Sequence, residues 1–182
     1  VSTAQDLINL QKTNIYLEGQ TQKFDWIIID SLTQVATIFE EDIIGKKRNI
    51  NEIPSLPEWG ALKWVLEKFI NFFKKLDTNV VFNVRTKNLT NDNAQKDIDY
   101  LLPTSARETI KGEFDIALYL TQNKGERVFI TRQCSYDGGT VLTAKVRDEQ
   151  GALELVEPAN INNLLIKLNG ETVLNVVLLE SA

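Results

Sequence analysis

The sequence predicts an α/β fold, with a mostly parallel sheet flanked by helices and a late antiparallel β-meander. Unbroken apolar runs, which are typical of parallel strands covered on both faces, occur at 24–30, 79–85 and 115–120. Segments with apolar residues at helical spacing separate these runs, as expected for alternating strands and helices. Turn-forming residues at 123–125 and 137–139 then divide shorter apolar stretches, which predicts the meander.

The first part of the chain is predicted to begin with a helix over 1–19, closed by Gly19. A buried strand at Phe24–Asp30 (FDWIIID) and a helix at Ser31–Ile44 follow. The strongest helix is predicted at Pro57–Leu76, because apolar residues recur there every three or four positions and proline fits the first turn. Its aromatic side chains are expected in the core: Trp59, Phe69 and Phe73, with Trp64 and Phe72 close by.

The second part is predicted to continue with strands at 79–85 and 115–120, a polar mobile loop at 88–102 between them, and a helix at 105–112. Later strands are expected at 127–131 and 140–146, a last helix at 158–168 and an apolar strand-like segment at 172–179. We therefore expect one core at 1–168, followed by a C-terminal strand-like tail at 169–182.

Composition excludes several classes of protein. The 182 residues are 43% apolar and 25% charged, which is ordinary for a soluble globular protein. A net charge of −5 disfavours wrapping duplex DNA. The sequence has no histidine, so histidine-dependent nucleophiles and a zinc ligand set are excluded. Cys134 is its one cysteine, so an internal disulfide is excluded, and this suits the reducing cytoplasm. No apolar run is long enough to cross a membrane. Because the sequence begins at Val1 and contains no methionine, a fragment or processed chain is expected.

The sharpest local signal is the acid that ends the first apolar strand. In open α/β sheets, ligands bind at the carboxyl ends of strands, where the carboxylate of Asp30 can hold Mg²⁺ beside a nucleotide's phosphates. This is the form of a Walker B strand. The alternative is that Asp30 or Ser31 simply caps the following helix.

Taken in order, FDWIIIDSLTQV, PEWGALKWVLEKFINFFKKL, TNVVFNVRTK, LLPTSARETIKGEFDIALYL and RVFIT…TAKVRD resemble the phage-type AAA ATP-binding proteins. These are RecA-like P-loop ATPases, some of which act in single-strand annealing and recombination. The resemblance covers Phe24 to about Leu165. It implies ATP and Mg²⁺ as cofactors, Asp30 as the metal ligand, and assembly into a ring or filament. It also implies nucleotide-binding roles at the strand ends, for which the candidates are Ser31, Asn83, Arg85 and Thr86.

A Lys-x-Arg pair on a late strand reaches the neighbouring subunit's γ-phosphate in related RecA-like rings. Lys145 and Arg147 match that pattern, and residues two apart on a strand face the same side. The alternative is a solvated edge strand, with Asp148 as a local salt partner. The basic run 46–48, together with Lys87, is either a local track for single-stranded nucleic acid or, more simply, a solvated loop.

The main departure from the family is the absence of GxxxxGK[ST] from the sequence. In that family the P-loop precedes Walker B, so we expect this segment to be lost, or supplied by the same or another chain. The complete protein is then expected to be an ATPase, whereas this chain alone is not expected to hydrolyse ATP. The competing hypothesis is a non-catalytic structural or assembly protein that reuses the fold.

Overall fold

The computed structural model describes residues 3–13, 25–45, 54–76, 78–90, 96–136, 138–168 and 175–180. Within them the helices are α1 (Ala4–Thr13), α2 (Leu32–Ile43), α3 (Leu56–Lys74), α4 (Thr104–Glu113) and α5 (Ile161–Lys167). The strands are β1 (Trp26–Asp30), β2 (Asn79–Thr90), β3 (Lys96–Tyr100), β4 (Ile116–Asn123), β5 (Glu126–Ile130), β6 (Cys134–Tyr136), β7 (Gly139–Val141), β8 (Lys145–Val146), β9 (Val156–Pro158) and β10 (Asn175–Glu180).

The centre of the sheet is parallel. Strand β1 pairs with β2, so that Trp26 lies opposite Asn79 and Asp30 opposite Asn83. Strand β10 lies between β2 and β4 and is parallel to both. The remaining pairs are mostly antiparallel, with β4 bordered by β5 and β8, and β9 added beyond β5. This mixed α/β architecture is compatible with a domain of the P-loop NTPase type.

One face of the parallel strands, here called the helix-covered face, packs against α1 to α4. Its core includes Val80 and Phe82 of β2 with Leu62, Leu66 and Phe73 of α3, all at most 2% exposed. Burying such apolar side chains is the main contribution to stability.

The opposite face, here called the second face, is covered by α5 and the segment before it. Val81, Val176 and Leu178 pack there with Leu164 of α5. The cover ends at β1, where Ile28 is 66% exposed. The described part of the chain therefore does not bury the first strand on both faces as predicted, because α5 lies over β10, β4 and β5 rather than over β1.

Local sequence explains where the two helices nearest β1 begin. Ser31 caps α2, since its hydroxyl accepts a hydrogen bond from the N–H of Gln34 at 3.2 Å. Ser55 and Glu58 form a capping box at α3, with Pro57 in the first turn as predicted. None of the helices in the described ranges is both long and apolar enough to cross a membrane.

The structure corrects the loop predicted at 88–102 where residues 88–90 and 96–100 lie in strands, whereas residues 91–95 lie outside the described residues. Strand β2 continues to Thr90 and pairs with β3 in antiparallel register, placing Thr86 opposite Tyr100. The polar composition that indicated a loop has another cause: Asp97 and Asp99 lie on one side of β3, while Ile98 and Tyr100 on the other side are buried in the core. The predicted strand at 140–146 is divided between β7 and β8.

Two other predictions meet different outcomes. Phe69 and Phe73 are buried as expected, but Trp64 is 59% exposed on the outside of α3. The run 46–48 lies outside the described residues, as do parts of the segments 1–19 and 172–179.

Candidate functional site

The carboxyl ends of β1 and β2 bring two polar side chains together. Asp30, the last residue of β1, is the register partner of Asn83, so both side chains lie on the second face of the sheet. Asp30 is exposed and Asn83 is partly buried. The register partner of Asn83 on β10 is Leu178, which is apolar. This pair occupies the place where open α/β sheets bind ligands.

Asn83 has an unusual environment. Its Oδ1 atom is buried and has no hydrogen-bond partner among the described residues. A buried acceptor left without a partner is destabilising by about 1–3 kcal/mol, so such an atom in a folded protein is normally satisfied by a water, an ion or a ligand. A metal-bound water, or another donor held beside Asp30, would satisfy it.

The other candidates at the strand ends have structural contacts of their own. The hydroxyl of Ser31 caps α2, as the simpler alternative predicted. The N–H of Arg85 donates to Thr33 Oγ1 at 3.0 Å, and the Arg85 side chain is exposed. Thr86 is 8% exposed. Arg85 also lines a cleft of about 460 Å³ between α2, Trp59 and the residues that precede α4.

Lys145 and Arg147 lie far from Asp30 within one copy of the chain. Strand β8 borders β4 on the side away from β10, so four strand spacings, about 19 Å in all, separate it from β1. Lys145 is opposite Ala117, whose side chain is in the core of the helix-covered face, whereas Asp30 faces the other way. The two cations therefore do not reach Asp30 within one copy of the chain.

The structure also shows the contacts of Arg147 and of the adjacent Asp148. Arg147 Nε lies 3.7 Å from Glu149 Oε1, and both side chains are mostly exposed. Asp148 is not their salt partner, because its carboxylate accepts hydrogen bonds from the N–H groups of Leu153 and Ala152. These bonds, that of Leu153 first, hold the pKa of Asp148 below its usual value.

Sequence reasoning missed a buried ionic cluster on the neighbouring hairpin. Asp99 is 2% exposed, and its Oδ2 atom accepts from Arg107 Nη1 at 3.1 Å and Lys111 Nζ at 3.0 Å. Lys87 lies opposite Asp99 in the ladder. Burial lowers the pKa of Lys87, nearby Arg107 lowers it further, and Asp99 raises it. One sequence pattern could have indicated this cluster: the i,i+4 spacing of Arg107 and Lys111 places both cations on one face of α4.

The residues present fit a magnesium ion held mostly by water and phosphate. In the described residues no three acidic, cysteine or histidine side chains form a ready-made metal cluster. Mg²⁺ typically keeps several waters and takes one or two carboxylates plus substrate phosphates. A single exposed carboxylate at Asp30 beside the unpartnered oxygen of Asn83 meets that requirement.

Comparison with known proteins identifies the family. A family model described as an AAA domain matches residues 1–145. No curated protein and no solved structure matches the chain. The matched segment contains β1, β2, β4 and the helices α1 to α4, and it includes Asp30 and Asn83. Because the match covers most of the 182 residues, the chain belongs to the AAA-domain family, whose membership indicates an ATPase-like, nucleotide-binding function with ATP and typically Mg²⁺.

Proposed function

We propose that this chain is the Walker B part of a RecA-like ATPase core that acts in phage DNA recombination or single-strand annealing. The observation that carries the proposal is the pairing of Asp30 with Asn83 at the carboxyl ends of two parallel strands. The P-loop that the site needs comes from the same or another polypeptide. The protein works in the host cytoplasm as a ring or filament, with single-stranded DNA as its partner.

The residues divide the chemistry between them. Asp30 holds Mg²⁺, directly or through water, beside the nucleotide phosphates. Asn83 accepts a hydrogen bond from a metal-bound water, which satisfies its buried oxygen. When bound there, Mg²⁺ would neutralise charge that develops on the phosphates. Arg85 and Thr86 follow Asn83 on β2, and the side chain of Arg85 is exposed whereas Thr86 is buried.

Lys145 and Arg147 act on the site of the neighbouring copy. Their distance from Asp30 within one copy supports this role, since cations that serve the same copy's site would have to lie closer. A trans-acting cation stabilises charge on the transferred phosphoryl group and completes the site only upon assembly.

The test is Mg²⁺-dependent ATP hydrolysis by the protein together with its P-loop segment. Asp30→Asn is expected to reduce turnover by at least about 100-fold, because it removes the metal's carboxylate ligand. Asp25→Asn is the matched control, since Asp25 is an exposed acid at the other end of β1. Equal turnover of Asp30→Asn and the wild type would show that the metal assignment is wrong.

The absence of GxxxxGK[ST] favours one second candidate, a non-catalytic assembly protein that keeps the fold. Calorimetric titration of this chain with Mg-ATP separates the two. Weak binding that becomes tight when the P-loop segment is added supports the ATPase. Failure to bind even with that segment present supports the assembly protein.

A further inference from the structure

We propose that a nucleoside 5′-monophosphate binds in a cleft beside the start of α4, at a site separate from that of ATP. The cleft, called the α2–α4 cleft, lies between α2, Trp59 of α3, Arg85 of β2 and residues 101–103, which precede α4. Its volume is about 460 Å³, within the range of small-molecule sites. At about 30 Å³ per water it holds about 15 waters, on the order of the number of heavy atoms in one nucleoside.

The two ends of the α2–α4 cleft carry opposite charges. Thr33 lies at one end, because its Oγ1 atom accepts a hydrogen bond from the N–H of Arg85 at 3.0 Å, and the Arg85 side chain is exposed. Glu40 lines the cleft two turns further along α2, about 10 Å from Thr33. A cation at one end and a carboxylate at the other favour a molecule with a single anionic group over a polyanion such as a nucleic-acid strand.

Helix α4 begins at the cationic end of the cleft and offers donors to an anion. The N–H of Leu101 donates to the carbonyl oxygen of Arg85 at 2.7 Å, which holds the segment before α4 at this end. The N-cap residue is Pro103, which makes no side-chain cap hydrogen bond, and the first turn contains no acidic residue. The N–H groups at the start of this 10-residue helix therefore favour an anion.

The contacts of Arg107 give independent evidence for an anion at this place. Arg107 is 7% exposed, its Nη1 atom donates to Asp99, and its Nη2 atom donates to Thr104 Oγ1 at 2.9 Å. Its Nε atom is buried and has no partner among the described residues. Since Nε and Nη2 form one edge of the planar guanidinium, the Nε–H is directed to the side on which Thr104 lies. Thr104 is exposed, so a phosphate that displaces its hydroxyl would accept from both nitrogens, the bidentate geometry in which arginine holds phosphates.

The rest of the cleft fits the nucleoside. Trp59 is partly buried and lines the cleft, so that a base can stack on its indole ring. Ala36 and Leu102, which are 3% and 5% exposed, provide an apolar floor. The carboxylate of Glu40 can accept hydrogen bonds from an amino group of the base or from a ribose hydroxyl. A phosphate at the start of α4 and a nucleoside extending toward Glu40 therefore match both ends of the cleft.

This site differs from the one proposed for ATP in position and in chemistry. Asp30 lies on the second face of the sheet, whereas α2 and α3, which form two walls of the cleft, pack on the helix-covered face. A guanidinium and backbone N–H groups hold the phosphate, so its binding needs no metal ion. The inference therefore does not rest on the proposed function.

The experiment is calorimetric titration of this chain, in EDTA and without the P-loop segment, with dAMP, deoxyadenosine and inorganic phosphate. We expect dAMP to bind at least about 10-fold more tightly than either of the other two, because only dAMP occupies both ends of the cleft. Thr37→Trp fills the cleft from the exposed side of α2 and should weaken dAMP binding by at least about 10-fold. Glu41→Trp is the matched control, since Glu41 is exposed on the same helix but does not line the cleft.

A second pair of variants tests the phosphate end of the cleft. Thr104→Glu and Thr104→Gln introduce side chains of nearly the same shape, but Thr104→Glu places a carboxylate where the phosphate binds. It should therefore bind dAMP at least about 10-fold more weakly than Thr104→Gln does. An acidic residue at the start of a helix stabilises the helix, so this loss would not reflect unfolding. Asp30→Asn should bind dAMP as tightly as the wild type.

Several results would overturn the proposal. They are dAMP binding no tighter than that of deoxyadenosine, Thr37→Trp binding as tight as that of Glu41→Trp, and equal binding by the two Thr104 variants. Displacement of dAMP by a single strand of deoxythymidylates at equal nucleotide concentration would overturn the choice of a mononucleotide. Loss of dAMP binding in Asp30→Asn would place the ligand at the ATP site instead. Because the titration needs neither Mg²⁺ nor the P-loop segment, the ATPase proposal can fail independently of this one.

Discussion

Replacing Asp99 with asparagine is expected to destabilise the fold far more than removing any exposed charge. The Asp99 carboxylate is 2% exposed and is shared by Arg107 and Lys111 at 3.1 and 3.0 Å on the same oxygen. Its other oxygen accepts from the N–H of Tyr100 at 2.8 Å. Asparagine has nearly the same shape but no charge, so it leaves a buried guanidinium without a carboxylate.

The magnitude follows from what remains buried. The Arg107 side chain is only 8% exposed, and its Nε atom already lacks a partner among the described residues. Removing one partner of a buried ion pair lowers the free energy of unfolding by about 3–5 kcal/mol. For a chain of this size, that corresponds to a fall in Tm of roughly 10 °C.

The assay is urea denaturation followed by circular dichroism, with Glu108→Gln as the control. Glu108 contacts the same Lys111 at 3.0 Å but is 74% exposed, so its loss should change stability by less than about 1 kcal/mol. If Asp99→Asn is no more destabilising than Glu108→Gln, the reasoning about this buried cluster is wrong.

Other substitutions test separate parts of the structure. Burial raises the pKa of Tyr100, so the free energy of unfolding should fall as pH rises above 10.0, where the unfolded tyrosine ionises. Tyr100→Phe should remove that fall in urea titrations. At neutral pH the same substitution should not destabilise the fold, because it deletes a buried hydroxyl that has no partner among the described residues. The hydrogen bond from the N–H of Leu153 lowers the pKa of Asp148, so the ionised carboxylate should stabilise the fold above pH 3.8. That stabilisation should be lost as pH falls through the folded-state pKa. A stability–pH curve of Asp148→Asn that matches the wild type would contradict this. Gly112→Ala in α4 should raise the free energy of unfolding by about 0.5–1 kcal/mol, because alanine favours the helix and nothing lies near the added Cβ. Gly139→Ala should lower it by about 1–3 kcal/mol, because a Cβ there would lie 3.1 Å from the carbonyl oxygen of Lys96. The melting temperatures of the two variants should therefore shift in opposite directions.

The sequence predicted the elements whose signals are local. Unbroken apolar runs located β1 and the first half of β2, and the spacing of Leu62, Leu66 and Phe69 located α3. The parallel pairing of β1 and β2, and thus the placement of Asp30 at a carboxyl edge, followed from the alternation of strand and helix. These patterns depend only on near neighbours in the chain.

What the sequence did not predict depends on distant contacts. The hairpin of β2 and β3 has polar side chains that are buried only because Asp99 meets Arg107 and Lys111 from α4. The central place of β10 between β2 and β4 is a matter of topology, which the run NVVLLE does not encode by itself. The exposure of Ile28 depends on where α5 ends its cover, and no periodicity in WIIID reveals that.

The most direct test of the central claim is to find where a manganese–ATP complex lies on this chain. Mn²⁺ replaces Mg²⁺ and broadens nearby amide signals even when binding is weak, so the test does not require tight binding. We predict broadening centred on Asp30, Ser31 and Asn83, which disappears in Asp30→Asn and persists in Asp25→Asn. Broadening centred on Trp26 and Asn79 at the opposite ends of the same strands, broadening that survives Asp30→Asn, or none at all would contradict the account.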